Sequence, residues 1–146
     1  MTRLGFTGTS QRSFTPGQTA AFTNWFSDHP AILEIHHGDC VGMDASFHDA
    51  VRGCAPGVRI VIRPPTDPKK RAFCRGPGVS TLPPKPYLDR NKDIAEASDF
   101  LLAAPSGFTE VLRSGTWATV RAARRLGKPV WVLWPDGRIE LEWKGD

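Results

Sequence analysis

The sequence lacks several features that would place it in a familiar class. It has no apolar run approaching the roughly 18 residues of a membrane-spanning helix, and its first stretch, MTRLGFTGTS, lacks the apolar segment of a signal peptide. Its three cysteines, Cys40, Cys54 and Cys74, are an odd number without Cys-x-x-Cys spacing, which argues against a disulfide framework and a zinc site. We therefore expect a cytoplasmic protein without membrane contact, bound metal or other cofactor.

Two nucleotide-binding motifs are also missing. The chain has no G-x-G-x-x-G after its first predicted strand and no G-x-x-x-x-G-K-[ST] anywhere, which disfavours a standard dinucleotide fold and a P-loop NTPase. What is present is a chain of 146 residues, 40% hydrophobic, with a net charge of +4. Length and composition predict one domain over residues 1–146. The charge favours anionic partners without distinguishing a nucleotide from a nucleic acid.

Short apolar segments alternate along the chain with segments of helical periodicity. The segments typical of strands are 3–8, 31–37, 58–63, 99–105 and 129–135. Helices are predicted to begin at Thr15-Pro16 and near Met43, and to cover Arg90–Ser98 and Thr116–Leu126. The alternation predicts an α/β, Rossmann-like fold with a five-stranded, mostly parallel sheet and helices on both faces. Right-handed crossovers predict the strand order 3-2-1-4-5, which brings Thr9 close to Pro105.

Residues 64–87 interrupt this alternation. They contain seven of the 13 prolines and five basic residues against one acid, Asp67. A segment of this length without secondary structure inside a compact domain is usually functional or disordered. Two interpretations stay open: a basic flap over an anionic ligand, or a proline-stiffened linker in place of a helix.

Three predicted turns at the carboxyl edge of the sheet combine glycine with small hydroxyl or acidic residues. They are 7–11 after the first strand, 38–44 after the second, and 113–116 before the last helix. Free N–H groups and the helix dipole favour an anion at such turns, and glycine lets a phosphate approach the backbone. The predicted ligand-binding residues are Gly8, Thr9, Ser10, Gln11, Gly38, Asp39, Gly42, Asp44, Ser114, Gly115 and Thr116.

Two side-chain roles near the second turn have alternatives. Asp44 could accept hydrogen bonds from ribose hydroxyls, or it could cap the helix that follows. His36 and His37 are neighbours on a predicted strand, so their side chains point to opposite faces and cannot chelate one metal together. One of them, taken here as His37, is expected to line the ligand site.

Nearly the whole chain resembles the SLOG superfamily of Rossmann-like proteins, which includes the lonely-guy phosphoribohydrolases and the core of the DNA-processing protein DprA. The similar segments are HHGDCVGMDASFHDAV, RNKDIAEASDFLLAAPSG and SGTWATVRAARRLGKPV. The closest overall resemblance is to small single-domain members of bacteria and their phages. The resemblance implies nucleotide binding, adds Arg90, Asn91 and Pro105 to the ligand-binding residues, makes Arg90 a candidate catalytic residue, and implies a homodimer.

One departure from the family pattern concerns catalysis. The phosphoribohydrolases carry a catalytic Glu in a compact Pro-Gly-Gly-x-Gly-Thr-x-x-Glu motif, whereas Thr109–Ser114 is inserted here and Thr119 occupies the Glu position. Cleavage of an N-ribosidic bond needs a carboxylate to stabilise the oxocarbenium charge or to activate water. Glu110 or Asp44 could supply it, although nothing in the sequence requires this.

Three functions follow from these observations. The first is binding of a nucleotide or nucleotide-derived ligand, as a sensor or a sequestering protein. The second is hydrolysis of a nucleotide, with Arg90 and Glu110 as candidate catalytic residues. The third, disfavoured, is nucleic-acid binding as in DprA, for which a basic stripe on the last helix could serve; the alternative is a solvated face that complements the helix dipole. The stripe comprises Arg121, Arg124, Arg125 and Lys128.

Overall fold

The elements of the fold alternate as a doubly wound α/β protein requires. The computed structural model describes residues 2–146. The strands are β1 (Thr2–Gly8), β2 (Ile32–His37), β3 (Arg59–Ile62), β4 (Val79–Thr81), β5 (Phe100–Ala104), β6 (Val130–Leu133) and β7 (Ile139–Trp143). The helices are α1 (Pro16–Ser27), α2 (Met43–Cys54), α3 (Tyr87–Ala97) and α4 (Gly115–Arg125). None of these helices is long and apolar enough to cross a bilayer.

All seven strands belong to one sheet, in the order β4-β3-β2-β1-β5-β6-β7. Strands β1 to β6 pair in parallel, and only β7 is antiparallel to its neighbour. The predicted fold and the predicted order of the five central strands are therefore confirmed. The predicted number of strands was too small, because each edge carries one further strand. Strand β4 is only three residues long and lies in the proline-rich segment, and β7 is a partly exposed edge strand.

Helix α1 begins where its capping residues dictate. The Thr15 hydroxyl accepts a hydrogen bond from Gln18 N at 3.0 Å, and the Gln18 side chain accepts one from Thr15 N at 3.0 Å. This reciprocal pair satisfies two backbone donors at the helix start, and Pro16 supplies the favoured first residue. Helix α3 starts at Tyr87, three residues before the predicted Arg90, because the helix can begin directly after Pro86.

The helices bury both faces of the sheet, as the sequence predicted. One core cluster joins β1, β2 and β3 to α1 and α2, and includes Phe6, Phe22 and Phe47. Phe6 and Phe47 stack with ring centroids 4.1 Å apart, which locks α2 against the central strand. The other cluster joins β5 and β6 to α3 and α4 through Ile94 and Trp117. Both α2 and α4 consequently start at the carboxyl edge of the sheet.

Residues 64–87 contain secondary structure, although the sequence predicted none there. They contain a short 3-10 helix, Pro68–Lys70, and strand β4, which pairs in parallel with β3. The segment is also tied to the turn after β2, since Val41 N donates to Lys70 O at 3.0 Å and Ala72 N to Asp39 O at 2.7 Å. These contacts fix the basic residues of the segment beside the carboxyl edge of the sheet.

Candidate functional site

The ends of β1 and β5 meet at the carboxyl edge of the sheet. Gly8 pairs with Ala104, and Thr9 N donates to Ala104 O at 3.0 Å. The predicted proximity of Thr9 and Pro105 is thus confirmed. The turns that leave these two strands diverge towards different helices, and a cavity opens between them.

This cavity has a volume of about 470 Å³, which lies within the usual range for small-molecule sites. Five segments of the chain line it: the turn after β1, the start of the turn after β2, the 3-10 helix, the start of α3, and the segment from β5 to α4. The lining residues are Thr7, Gly8, Thr9, Ser10, Gln11, Cys40, Val41, Lys69, Lys70, Tyr87, Asn91, Ser106, Val111, Arg113, Ser114, Gly115, Thr116 and Trp117.

The charges around the cavity are all of one sign. Lys69, Lys70 and Arg113 line it, and within residues 2–146 no Asp or Glu does. All three cations are exposed, and none has an ion-pair partner among the described residues. Such an arrangement attracts anions and disfavours cations.

The start of α4 adds backbone donors to this cationic lining. The hydroxyl of the N-cap residue Ser114 accepts from Trp117 N at 3.3 Å, and its carbonyl accepts from Ala118 N at 2.8 Å. The N–H groups of Gly115 and Thr116, the first two of the helix, have no intrahelical acceptor. Together with the helix dipole, they favour a negatively charged group at this end of the cavity.

The turn after β1 is held open towards the cavity by contacts behind it. Thr9 O accepts from Met43 N at 3.1 Å, and the Thr9 hydroxyl accepts from Gln11 N at 3.2 Å. Gly42 adopts φ +90, and a Cβ there would lie 2.8 Å from Thr9 O, so only glycine allows this junction. Gly42 therefore supports the turn without lining the cavity itself.

The turn after β2 is mostly buried, unlike the turn after β1. Asp39 is fully buried with φ +57, and its carboxylate accepts from Arg71 Nε at 3.0 Å and from Cys74 N at 2.8 Å. The Asp39 side chain thus anchors residues 71–74 and lies outside the cavity lining. Of this turn, only Cys40 and Val41 reach the cavity.

His37 belongs to a buried chain of hydrogen bonds on the α2 face of the sheet. Asp39 N donates to His37 Nδ1 at 2.9 Å, His37 Nε2 lies 2.9 Å from His48 Nδ1, and His48 Nε2 lies 3.3 Å from Arg75 O. Because Nδ1 accepts, the proton of neutral His37 is on Nε2, which donates to His48. Burial lowers the pKa of His37 to about 3, which keeps the ring neutral.

This chain of hydrogen bonds also bears on metal binding. The ligand atoms of His37, His48 and Cys74 lie within 4.8 Å of one another. A metal on His37 Nε2 would displace the proton of that nitrogen, and Nδ1 cannot take it up because Asp39 N–H points at it. The His37 tautomer therefore disfavours a metal at this cluster, and the hydrogen bonds account for the two histidines.

His36 lies on the opposite face of the sheet, as its adjacent position predicted. Its Nε2 is 2.7 Å from Glu34 Oε2, and its Nδ1 accepts from Arg63 Nε at 3.2 Å. Burial is the main cause that lowers the pKa of His36, while the hydrogen bond to Glu34 opposes it. His36 and His37 therefore serve two separate buried networks.

Arg90 and Asp44 enclose the backbone of the turn after β2. Arg90 is buried and donates to the carbonyls of Gly38 and Arg63 and to Asn91 Oδ1. Asp44 accepts from Cys40 N at 3.1 Å, while its other carboxylate oxygen is buried without a partner among the described residues. Burial raises the pKa of Asp44 to about 6, against the opposing charge of Arg90. Neither side chain lines the cavity.

Glu110, the other candidate catalytic residue, does not line the cavity. Its carboxylate pairs with Arg121 at 3.0 Å and with Arg124 at 2.9 Å. These contacts, chiefly the hydrogen bond from Arg124, lower the pKa of Glu110. They also occupy half of the basic stripe on α4, and Lys128 donates to the carbonyls of Ala95 and Glu96. The stripe is therefore largely engaged in internal contacts.

The structure thus divides the predicted site residues into two sets. Those that line the cavity are Gly8, Thr9, Ser10, Gln11, Asn91, Ser114, Gly115 and Thr116. Those that lie outside its lining are His37, Gly38, Asp39, Gly42, Asp44, Arg90, Pro105 and Glu110. Thr119, at the position of the family's catalytic Glu, is fully buried and its hydroxyl donates to Gly115 O at 3.0 Å.

Several lining residues were not predicted as site residues. Tyr87 is the first residue of α3, which starts three residues before its predicted start, Trp117 is the third residue of α4, and Val111 lies in the insertion before α4. Arg113 directly precedes the predicted residue Ser114 and belongs to the predicted turn 113–116, so the sequence could have identified it. Lys69 and Lys70 were recognised only as part of a basic segment.

Two solved structures share this Rossmann-like α/β fold. The molybdenum cofactor binding protein from the phototrophic bacterium Rippkaea orientalis aligns with a TM-score of 0.64 and 18% identity, over 91% of this chain and 76% of that chain. A structural-genomics target, TM1055, aligns with a TM-score of 0.56 and 18% identity, over 89% of this chain and 72% of that chain. No protein-family model and no curated protein matches the sequence. At these identities, the likeness shows a common fold.

Proposed function

We propose that this protein binds a nucleotide or a nucleotide-derived ligand in the cavity at the carboxyl edge of its sheet. The observation that carries this proposal is that, within residues 2–146, the lining holds three cations without ion-pair partners and no carboxylate. Gly115 and Thr116 at the start of α4 line the same cavity, and N–H groups at a helix start favour a phosphate. The Rippkaea orientalis protein is named as a molybdenum cofactor binding protein, which supports small-molecule binding on this fold.

Tyr87 supports a nucleotide over a simple anion. It lines the cavity, is half exposed, and is the single tyrosine of the chain. The other aromatic lining residue, Trp117, is buried. An exposed ring beside phosphate donors offers a stacking surface for a base.

The cavity favours binding of the nucleotide over its hydrolysis. Hydrolysis of an N-ribosidic bond requires a carboxylate at the reacting carbon. Glu110 pairs with two arginines outside the cavity, and Asp44 lies behind the turn after β2. A role as a sensor or as a sequestering protein therefore has more support than a role as a nucleotide hydrolase. SLOG membership, the homodimer and the cytoplasmic location stay predictions.

Calorimetry with adenosine 5′-monophosphate tests this proposal. We expect Arg113→Gln to weaken binding about tenfold or more, since a hydrogen bond to a charged group contributes roughly 1.5–3 kcal/mol. Arg59→Gln is the matched control, because Arg59 is an exposed arginine at the start of β3, on the opposite edge of the sheet. Affinity that is unchanged in Arg113→Gln would contradict the proposed site.

Tyr87→Ala separates a nucleotide from a simple anion. It should weaken binding of the nucleotide by about 1–3 kcal/mol, the contribution of one stacked base, and leave binding of inorganic phosphate unchanged. Mass spectrometry of small molecules released by denaturing the purified protein provides an independent readout. Release of free adenine from the nucleotide during incubation would show a hydrolase instead of a binder.

A further inference from the structure

The basic residues that line the cavity lie on the two sides of β1. Lys69 and Lys70 are tied to the turn after β2, since Val41 N donates to Lys70 O at 3.0 Å. Arg113 follows β5 and directly precedes α4. Strand β1 lies between β2 and β5 in the sheet, so its turn separates the two groups of charges.

The strands that lead to these two groups are separated by the width of β1. Neighbouring strands lie about 4.8 Å apart, so the ends of β2 and β5 are separated by roughly 10 Å. The Lys70 ammonium is 5.7 Å from the centroid of the Tyr87 ring, which keeps its charge at the start of α3. Asn91, one helical turn further along α3, reaches Gly115 O at 3.5 Å. The space between the charges is therefore lined by neutral groups of Asn91 and of the turn after β1.

We propose that the ligand carries two phosphate groups that are separated by a sugar, as in a nucleoside 3′,5′-bisphosphate. One phosphate binds Arg113 and the start of α4, and the other binds Lys69 and Lys70. Adjacent phosphates of a diphosphate share a bridging oxygen and lie closer together than the ends of the two strands that lead to these cations. This inference rests on the proposed function, and it defines the class of nucleotide that fits the cavity.

The test compares three probes by calorimetry: adenosine 5′-monophosphate, adenosine 5′-diphosphate and adenosine 3′,5′-bisphosphate. Each is titrated into the wild type, Arg113→Gln and the double variant Lys69→Gln/Lys70→Gln. Lys85→Gln is the matched control, because Lys85 is a basic residue of the same segment that pairs with Asp93 at 2.7 Å and lies outside the cavity lining. Thermal unfolding of each variant checks that the exposed substitutions leave the fold intact.

We expect the double lysine variant to weaken binding of the bisphosphate about tenfold or more, as loss of a charge-assisted contact requires. Binding of the monophosphate and the diphosphate should change by less than about threefold, within the small effect of a remote surface charge. Arg113→Gln should weaken all three probes, and Lys85→Gln none of them. This pattern distinguishes two separate phosphate positions from a single one.

Two outcomes would overturn the inference and leave the proposed function standing. One is an equal loss for monophosphate and bisphosphate in the double lysine variant, which would mean that all cations converge on one phosphate. The other is a diphosphate that binds as tightly as the bisphosphate with the same dependence on the lysines. If none of the three probes binds the wild type, the proposed function fails and the inference fails with it.

Discussion

The turns after β1 and β2 leave neighbouring strands at the same edge of the sheet, yet they present very different surfaces. All five residues of Thr7–Gln11 line the cavity. In the second turn, Asp39 is committed to Arg71 and Cys74, and Arg90 is committed to Gly38. A turn whose polar side chains are buried in internal contacts builds the wall of a site, whereas a turn with exposed polar side chains, such as Ser10 and Gln11, can bind a ligand. Substitutions in the two turns should therefore affect different properties.

The largest effect is expected for Asp39→Ala. It removes a fully buried carboxylate and leaves the Arg71 guanidinium and Cys74 N without their acceptor, and breaking such a buried pair costs about 3–5 kcal/mol. Alanine also tolerates φ +57 poorly. Urea denaturation measures the free energy of unfolding. Asp136→Ala, which breaks an exposed pair with Arg138, is the control and should cost less than about 1 kcal/mol.

Asp44→Asn should change how stability depends on pH. Burial raises the pKa of Asp44 from 3.8 to about 6 in the folded protein, so the folded state binds this proton more tightly than the unfolded state. The wild type should therefore lose stability as pH rises from about 4 to 6, by about 3 kcal/mol from this group, at 1.36 kcal/mol per pKa unit. The variant lacks this loss because asparagine does not ionise.

The Asp44 prediction is checked by urea denaturation of both proteins at pH 4 and pH 7. Other groups titrate in the same range, His37 among them, but they are common to both proteins and cancel in the difference. The free energy of unfolding of Asp44→Asn minus that of the wild type should be larger at pH 7 than at pH 4. A difference in stability that does not depend on pH would show that Asp44 is not a buried, ionising group.

The smallest effect is expected for Ser10→Ala in the turn after β1. Ser10 is exposed, so its removal should change the free energy of unfolding by no more than about 0.5 kcal/mol. Ser10 lines the cavity, so loss of its hydroxyl should lower the affinity for adenosine 5′-monophosphate about two- to tenfold, as for a neutral hydrogen bond. Denaturation and calorimetry on the same preparation measure both quantities. A loss of stability without a loss of affinity would remove the distinction between the two turns.

Much of the fold could be predicted because its signals are local. The Thr15 cap, the periodicity of α2 and the apolar strands each depend on residues close together in the chain. The edge strands β4 and β7 were not predicted, because neither has the buried apolar pattern of a central strand. Each is defined by its pairing with a neighbouring strand. Eight of the fifteen predicted ligand-binding residues line the cavity: seven come from the turn after β1 and the start of α4, and Asn91 comes from α3.

The class of fold, the order of the central strands and the edge of the sheet that holds the cavity could all be predicted from the residues, because alternating helices and strands with right-handed connections leave few other arrangements. Which glycine-containing turn faces the cavity depends on contacts between distant parts of the chain. The turns after β1 and β2 contain similar residue types, and their roles differ because residues 71–74, more than thirty positions away in the chain, fold back onto Asp39. Hydrogen bonds across such a separation leave no local pattern, so the three-dimensional path of the chain alone determines which polar groups stay free for a ligand.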